Sequence, residues 1–209
     1  MTKDIPLFPL NIVAYPGELV NLHIFEPRYR QLVQDCLDGD GKFGIPSYVN
    51  NKMEFGTEVE ILKVEKVYQD GRMDIRTRGT EIFEIVEFQD TWNGKLYAGG
   101  TVKFLENDFD FSFEGRERMF TLATELFSWL HMSDKMKLGE SSNSYSIAHK
   151  IGLNIEEEYN FLQILNESAR IEFIIGHLAN LIPALERAQS AKEKIKLNGH
   201  FKHLTPPKF

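Results

Sequence analysis

The chain holds a single cysteine, Cys36, among 209 residues. That excludes an intrachain disulfide framework and a thiolate metal cluster, and it suits a reducing compartment. Long apolar runs are missing too. The opening MTKDIPLFPL carries Asp4 and no uninterrupted apolar stretch, so it does not read as a secretory signal. The most apolar region, IEFIIGHLANLIPAL at 171–185, contains Glu172, His177, Asn180 and Pro183 and is too short to span a bilayer. A soluble, cytoplasmic protein without a membrane partner is the expectation. Basic excess is also lacking: Lys and Arg number 24 against 31 Asp and Glu, and a net charge of −7 argues against a chain that works by neutralising phosphates.

What is present is an ordinary globular mixture, 42% hydrophobic and 26% charged, which is enough to bury a core. Sixteen phenylalanines predict aromatic packing. No internal repeat is evident.

Up to about residue 105 the pattern is strand and turn. The prolines at 6, 9 and 16 suit edge strands and bends. In TEVEILKVEKVY (57–68), Val59 and Ile61 alternate with acids, then the phase slips to Leu62 and Val64, which predicts a bulge. GRMDIRTRG puts Met73, Ile75 and Thr77 on one face and Asp74, Arg76 and Arg78 on the other; EIFEIVEF follows it. WNGK (92–95) predicts a type I′ turn, since Asn-Gly accepts two positive φ angles. Short strands at this spacing read as a small barrel or folded sheet.

One short helix interrupts them. Tyr29, Leu32, Val33, Cys36 and Leu37 form an amphipathic stripe, with Pro27 at the first helical position and Gly39 placed to end it. Cys36 on that stripe reads as a core thiol.

ENDFDFSFEGRE (106–117) changes composition abruptly and reads as a solvated linker. Beyond it the spacing is helical: Met119, Leu122, Ala123, Leu126 and Leu130, then a polar loop at 139–144, a short helix in YSIAHKIG, and a capping box from Asn154 to Glu157. Ser168 is placed to cap a long helix lined by Ile171, Ile174, Ile175, Leu178, Leu181, Ile182 and Leu185, with Phe173 and His177 on a second side and Pro183 expected to bend or restart it. The expected organisation is a strand domain at 1–105, a linker at 106–117, a helical subdomain at 118–198 and a basic tail at 199–209.

The first half carries a family pattern. It lies in IPLFPLNIVAYPGELVNLHIFEPRYRQLVQDCL (5–37), FGI (43–45), GTEVEILKV (56–64) and DGRMDIRTRGTEIFEIV (70–86). The combination of PLFPL, YPG and IFEPRYR resembles the amino-terminal substrate-binding domain of Lon proteases. That resemblance implies an α+β fold: a PUA-like pseudobarrel of mostly antiparallel strands with one short helix, followed by a C-terminal helical bundle. It implies polypeptide binding. Cereblon has a similar region, but its zinc-bound ligand domain has no counterpart here. The phosphate-cradling loop of the Lon ATPase is not found, since GDGKFG lacks its spacing and its Ser/Thr, and the chain ends before a protease domain could begin. The expectation is a free-standing, non-catalytic relative.

A search for other chemistry yields nothing that competes. Among His23, His131, His149, His177, His200 and His203 only the last two are close in sequence, without a third ligand, so no metal site is expected. His177 on an apolar helix reads as a hydrogen-bonded core residue. Ser141, Ser142, Ser144 and Ser146 lack the strand–turn–helix context of a nucleophile elbow. The glycine pair in YAGGTV reads as a strand bend. No cofactor is expected.

The expected function is recognition of exposed apolar segments of unfolded or client polypeptides, as an adaptor or regulator of proteolysis with a separate ATP-dependent protease. The candidate binding residues are Phe25, Glu26, Arg28, Tyr29 and Arg30, in the opening turn of the first helix. Glu26 and Arg30 are spaced for an i,i+4 pair, which leaves Arg28 without a comparable local partner. RNA binding through the PUA-like barrel is the alternative. The charge, the lack of an aromatic–basic strand and the acids around Arg72, Arg76 and Arg78 weigh against it.

Overall fold

A computed structural model of the chain describes residues 2–132, 139 and 142–200, with backbone alone for 197–200. The expected tail from 201 on, with His203, and Ser141 of the serine cluster lie outside the described residues.

The strands are β1 (Thr2–Leu7), β2 (Leu19–Ile24), β3 (Lys42–Pro46), β4 (Phe55–Val67), β5 (Met73–Gln89) and β6 (Ala98–Phe104), with α1 (Pro27–Leu37) between β2 and β3. Then come α2 (Phe113–Trp129), α3 (Tyr145–Ala148), α4 (Ile155–Leu162) and α5 (Glu167–His200). The strands form one sheet in the order β2-β5-β4-β3-β1-β6, and β6 also pairs with the far end of β5. All pairings are antiparallel except β1 with β3. The sheet is barrel-like without being a closed barrel.

GRMDIRTRG and EIFEIVEF, successive in the sequence pattern, are one continuous strand, β5. Gly79 between them does not turn the chain. It permits a close approach, since a Cβ there would stand 2.1 Å from the Tyr15 carbonyl oxygen. The expected alternation holds, with Met73, Ile75 and Thr77 buried. The phase slip in β4 is a register shift between Ile61 and Lys63. At the WNGK turn Asn93 and Gly94 both have positive φ, 50° and 74°, and the Lys95 N–H donates to the Trp92 carbonyl at 2.9 Å.

Helix α1 forms against its own termini. No acid stands in its first turn, where Arg28 and Arg30 oppose the dipole at roughly 0.3–1 kcal/mol each. Burial of Tyr29, Leu32, Val33 and Cys36 outweighs that, at about 1.5–3 kcal/mol for each large apolar side chain. Pro27 occupies the first turn as expected, whereas Leu37 stays exposed. The chain then leaves the helix through Asp38, and the left-handed conformation falls on Gly41 rather than Gly39.

Several expected boundaries move. Helix α2 starts at Phe113, not 118, because the Ser112 side chain caps it by accepting from the Gly115 N–H. The residues just before it are tied down. Asp108 forms a parallel bridge with Asn166 and accepts from its side-chain amide, while the Asp110 carbonyl accepts from Ser168 Oγ. Ser168 is therefore not the cap of α5; Asn166 Oδ1 takes the Ala169 N–H at 2.9 Å. Helix α5 runs through Pro183 without ending. The Asn154–Glu157 capping box is present at α4.

Sheet and helices share a core. Val13, Tyr15, Val49 and Ile82 from the strand half pack in one cluster with Met119, Leu126, Phe161, Ile174 and Leu178. A second cluster, with Phe8, Tyr29, Leu32, Phe43 and Ile75, lies between α1 and the sheet.

Candidate functional site

The residues leading into α1 divide into anchors and exposed groups. Strand alternation buries Ile24 and leaves Phe25 outside, 59% exposed. Tyr29 points into the core and stacks on Phe8, with ring centroids 3.7 Å apart. Arg28 lies across the Tyr29 ring, 4.5 Å from its centroid, and donates from Nε to Glu26 Oε2 at 2.8 Å. Arg28 thus has a local partner, and Glu26 is not paired with Arg30. The reason is geometric: the extended N-cap backbone at Glu26 (φ −72°, ψ 138°) swings its carboxylate beside Arg28. Arg30 instead donates from Nη1 to the Asp70 carbonyl at 2.7 Å, in the turn between β4 and β5. Next to that carbonyl, Gly71 has φ 82°, and a Cβ on it would meet Arg30 Nη1 at 2.6 Å.

Around Phe25 lies a row of rings. His23 is 6.2 Å from Phe25 and 5.8 Å from Tyr68, and Lys66 sits 4.3 Å over the Tyr68 ring. Asp74 links the row, with Oδ1 2.6 Å from His23 Nδ1 and Oδ2 accepting from the Tyr68 hydroxyl at 2.7 Å. Those bonds, from His23 first and then Tyr68, hold the Asp74 carboxyl below its usual range. Of Arg72, Arg76 and Arg78, the first two are paired with acids. Arg72 holds Asp70 at 2.7 Å and Arg76 holds Glu65 at 3.2 Å.

A cleft of about 430 Å³ opens between the β1–β2 connection and α3, lined by Gly17, Glu18, Leu19, Tyr145, Ser146 and His149 among others. His149 lines it, with Nε2 3.1 Å from Glu18 Oε2 and Nδ1 2.7 Å from Glu158 Oε1. Burial works against the charged imidazole, but the two carboxylates outweigh it and raise its pKa to about 9. The Tyr15 ring lies tilted against it, with centroids 4.6 Å apart, and its hydroxyl donates to the Glu158 carbonyl. Burial, then the charges of Glu158 and Glu18, push the Tyr15 phenol well up, so it stays neutral.

Behind α3 is a buried charge cluster. Arg170 Nε donates to Ser144 Oγ and Glu167 Oε2, Nη1 to Asn107 Oδ1 and the Ile164 carbonyl, and Nη2 to Glu167 Oε2. With its donors engaged inside the protein, this guanidinium is a structural tie rather than a binding group. Ser144, one of the expected serines, belongs to this tie. Cys36 is no nucleophile: burial first, then Asp40 and Asp35, push its thiol up to about 12. His177 makes the hydrogen bond expected, with Nε2 2.9 Å from the Ile151 carbonyl oxygen, but it is half-buried at the edge of the core rather than inside it. Among the described residues no group of three or more His, Cys, Asp or Glu could hold a metal ion. No helix among them is long and apolar enough to cross a membrane.

The family model for the ATP-dependent protease La (LON) substrate-binding domain matches residues 4–180. The chain belongs to this family. A LON peptidase N-terminal domain and RING finger protein of Schizosaccharomyces pombe is 30% identical over 105 residues, covering 41% of this chain and 21% of that protein. Among solved structures, a Lon N-terminal domain protein from Xanthomonas campestris superposes with a TM-score of 0.65 at 26% identity, covering 83% of this chain and 98% of that one. The N-terminal domain of a Mycobacterium avium complex Lon protease shares the fold, with a TM-score of 0.63 at 15% identity over 85% and 98% of the two chains.

Within this Lon-type substrate-binding module the motifs have separable tasks. YPG places Tyr15 in the core shared with the helices and turns the chain at Gly17 (φ 82°). EPRYR braces α1 on Phe8 and on the β4–β5 turn. Sequence reasoning missed the clamp of Glu18, His149 and Glu158 and the tie of Asn107, Ser144, Glu167 and Arg170. Their members are scattered along the chain, so no local spacing signals them.

Proposed function

We propose that this Lon-type module binds exposed apolar segments of client polypeptides and serves as a non-catalytic adaptor or regulator of proteolysis beside a separate ATP-dependent protease. The observation that carries the reading is the family match over residues 4–180, which takes in all but the first two residues of the sheet and most of the helices. Phe25 is the proposed apolar contact, rimmed by Arg28, Glu26 and Arg30, with Tyr29 supporting Arg28 from below. The non-catalytic part of the reading is supported by the protonated, buried Cys36 thiol. A cytoplasmic setting is supported by that free cysteine.

The test is capture of a permanently unfolded polypeptide at 50 and at 200 mM salt. Apolar recognition predicts little change between the two. A complex resting on 6–10 phosphate contacts would weaken by roughly 10³–10⁵ over that range, and capture of RNA alone with such a dependence would replace this reading. Arg28→Gln should leave the melting temperature within a few degrees, because exposed ion pairs are worth about 0–1 kcal/mol. Weaker client binding in the same sample assigns Arg28 to the surface; unchanged binding removes it from there.

A further inference from the structure

Resting on the substrate-binding reading, we propose that the free edge of β2 is where the client docks: an extended, uncharged, apolar segment adds to it as a further strand. Among the described residues, strand β2 ends the sheet order and pairs with β5 alone. The Gly79 N–H donates to the Glu18 carbonyl at 2.9 Å, and the register continues unbroken from Leu19↔Arg78 to Ile24↔Met73. Antiparallel peptide groups alternate between the two edges of a strand. Val20, Leu22 and Ile24 therefore face β5, and Leu19, Asn21 and His23 present their N–H and C=O groups outward. Among the described residues, no backbone–backbone hydrogen bond outside the sheet reaches residues 19–25.

Among the described residues, no element pairs with this edge. Proteins blunt free edges with lysine, proline, bulges or a covering element. LVNLHI carries no lysine, no proline and no register shift. Its one titratable side chain, His23, is held by Asp74. The preceding Glu18 is turned to His149 and to the Tyr15 N–H.

The edge is apolar at its ends. Leu19 is 54% exposed and Phe25 59%, on the same side of the alternation and roughly 20 Å apart at about 3.3 Å per residue. Leu19 also lines the cleft beside α3, so the strip runs into that cavity. A strand edge without net charge matches an uncharged extended segment of about seven residues, with apolar side chains near both ends. Main-chain hydrogen bonds would supply affinity without demanding one sequence, which suits a binder of many clients.

The probe is reduced, carboxymethylated lactalbumin with the full chain. Asn21→Pro removes one outward N–H and is tolerated where that N–H faces solvent. It should keep the wild-type melting temperature and bind about tenfold or more weakly, while Asn21→Ala, with its backbone intact, binds like wild type. Amide exchange in the wild type is an independent measure: the Leu19, Asn21 and His23 amides should slow when the probe saturates. Unslowed amides, or an Asn21→Pro variant that binds as wild type, would overturn the edge and leave the substrate-binding reading standing. Wild-type protein that captures no probe at all would sink both. A wild-type dimer that Asn21→Pro splits would assign the edge to a second copy, and the proposal would fall.

Discussion

Arg170 is fully buried with Nη2 2.8 Å from Glu167 Oε2, one turn earlier on the same helix. Around this pair close the 107–108 segment, Ser144 before α3, and the start of α5. The Tyr145 ring lies 4.3 Å from the guanidinium.

Removing Arg170 leaves a buried carboxylate without its cation. Arg170→Met should cost about 3–5 kcal/mol, read by chemical denaturation. The double variant Arg170→Met/Glu167→Leu should recover part of the loss, because no unpaired charge then remains. A single variant within about 1 kcal/mol of wild type would show that the tie does not bear on stability.

The His149 clamp makes stability depend on pH. Its pKa is raised from 6.5 to about 9 on folding, so its contribution is whole below 6.5 and is lost as pH rises through about 9. The full shift would be worth about 3 kcal/mol; His149 is exposed enough for solvent to screen part of it, so the loss should be on the order of 2 kcal/mol. His149→Gln should flatten that part of the profile. An unchanged slope in the variant would assign the dependence to other groups.

Two glycines should respond differently to alanine. At Gly94 (φ 74°) no atom stands within 4 Å of an added Cβ, so only backbone strain of about 1–2 kcal/mol is expected. At Gly79 the Cβ would meet the Tyr15 carbonyl at 2.1 Å, which is backbone and cannot swing aside. Gly79→Ala should cost upward of about 3 kcal/mol and loosen Tyr15 from the shared core. Thermal melts of both variants check the order.

A fragment of residues 1–105 should not fold to a native state alone. Val13, Tyr15, Val49 and Ile82 would lose their helical neighbours and expose apolar surface. The full chain should unfold in one transition, read by near-ultraviolet circular dichroism. Two separated transitions would instead give the strand and helical parts independent stability.

Features that depend on a few neighbouring residues were legible in the sequence. The stripe of α1, Pro27 in its first turn, the Asn154–Glu157 box, the Asn93–Gly94 turn and the slip in β4 are set by periodicity or by local φ preferences within a span of four or so residues. The Lon-type motifs were legible for a similar reason, since PLFPL, YPG and IFEPRYR are each contiguous.

Side-chain partners come from long-range packing. His149 finds Glu18 across 131 positions, and Arg170 finds Asn107 across 63. No local pattern encodes such meetings; they follow from which surfaces the shared core brings together. The exchange of partners at EPRYR has the same cause: the β4–β5 turn arrives beside Arg30 and leaves Glu26 to Arg28. It was also tertiary pairing that joined two sequence segments into β5 and left β2 at the end of the sheet. Alternation marks a strand and its buried face, while its neighbours depend on chain closure over long separations.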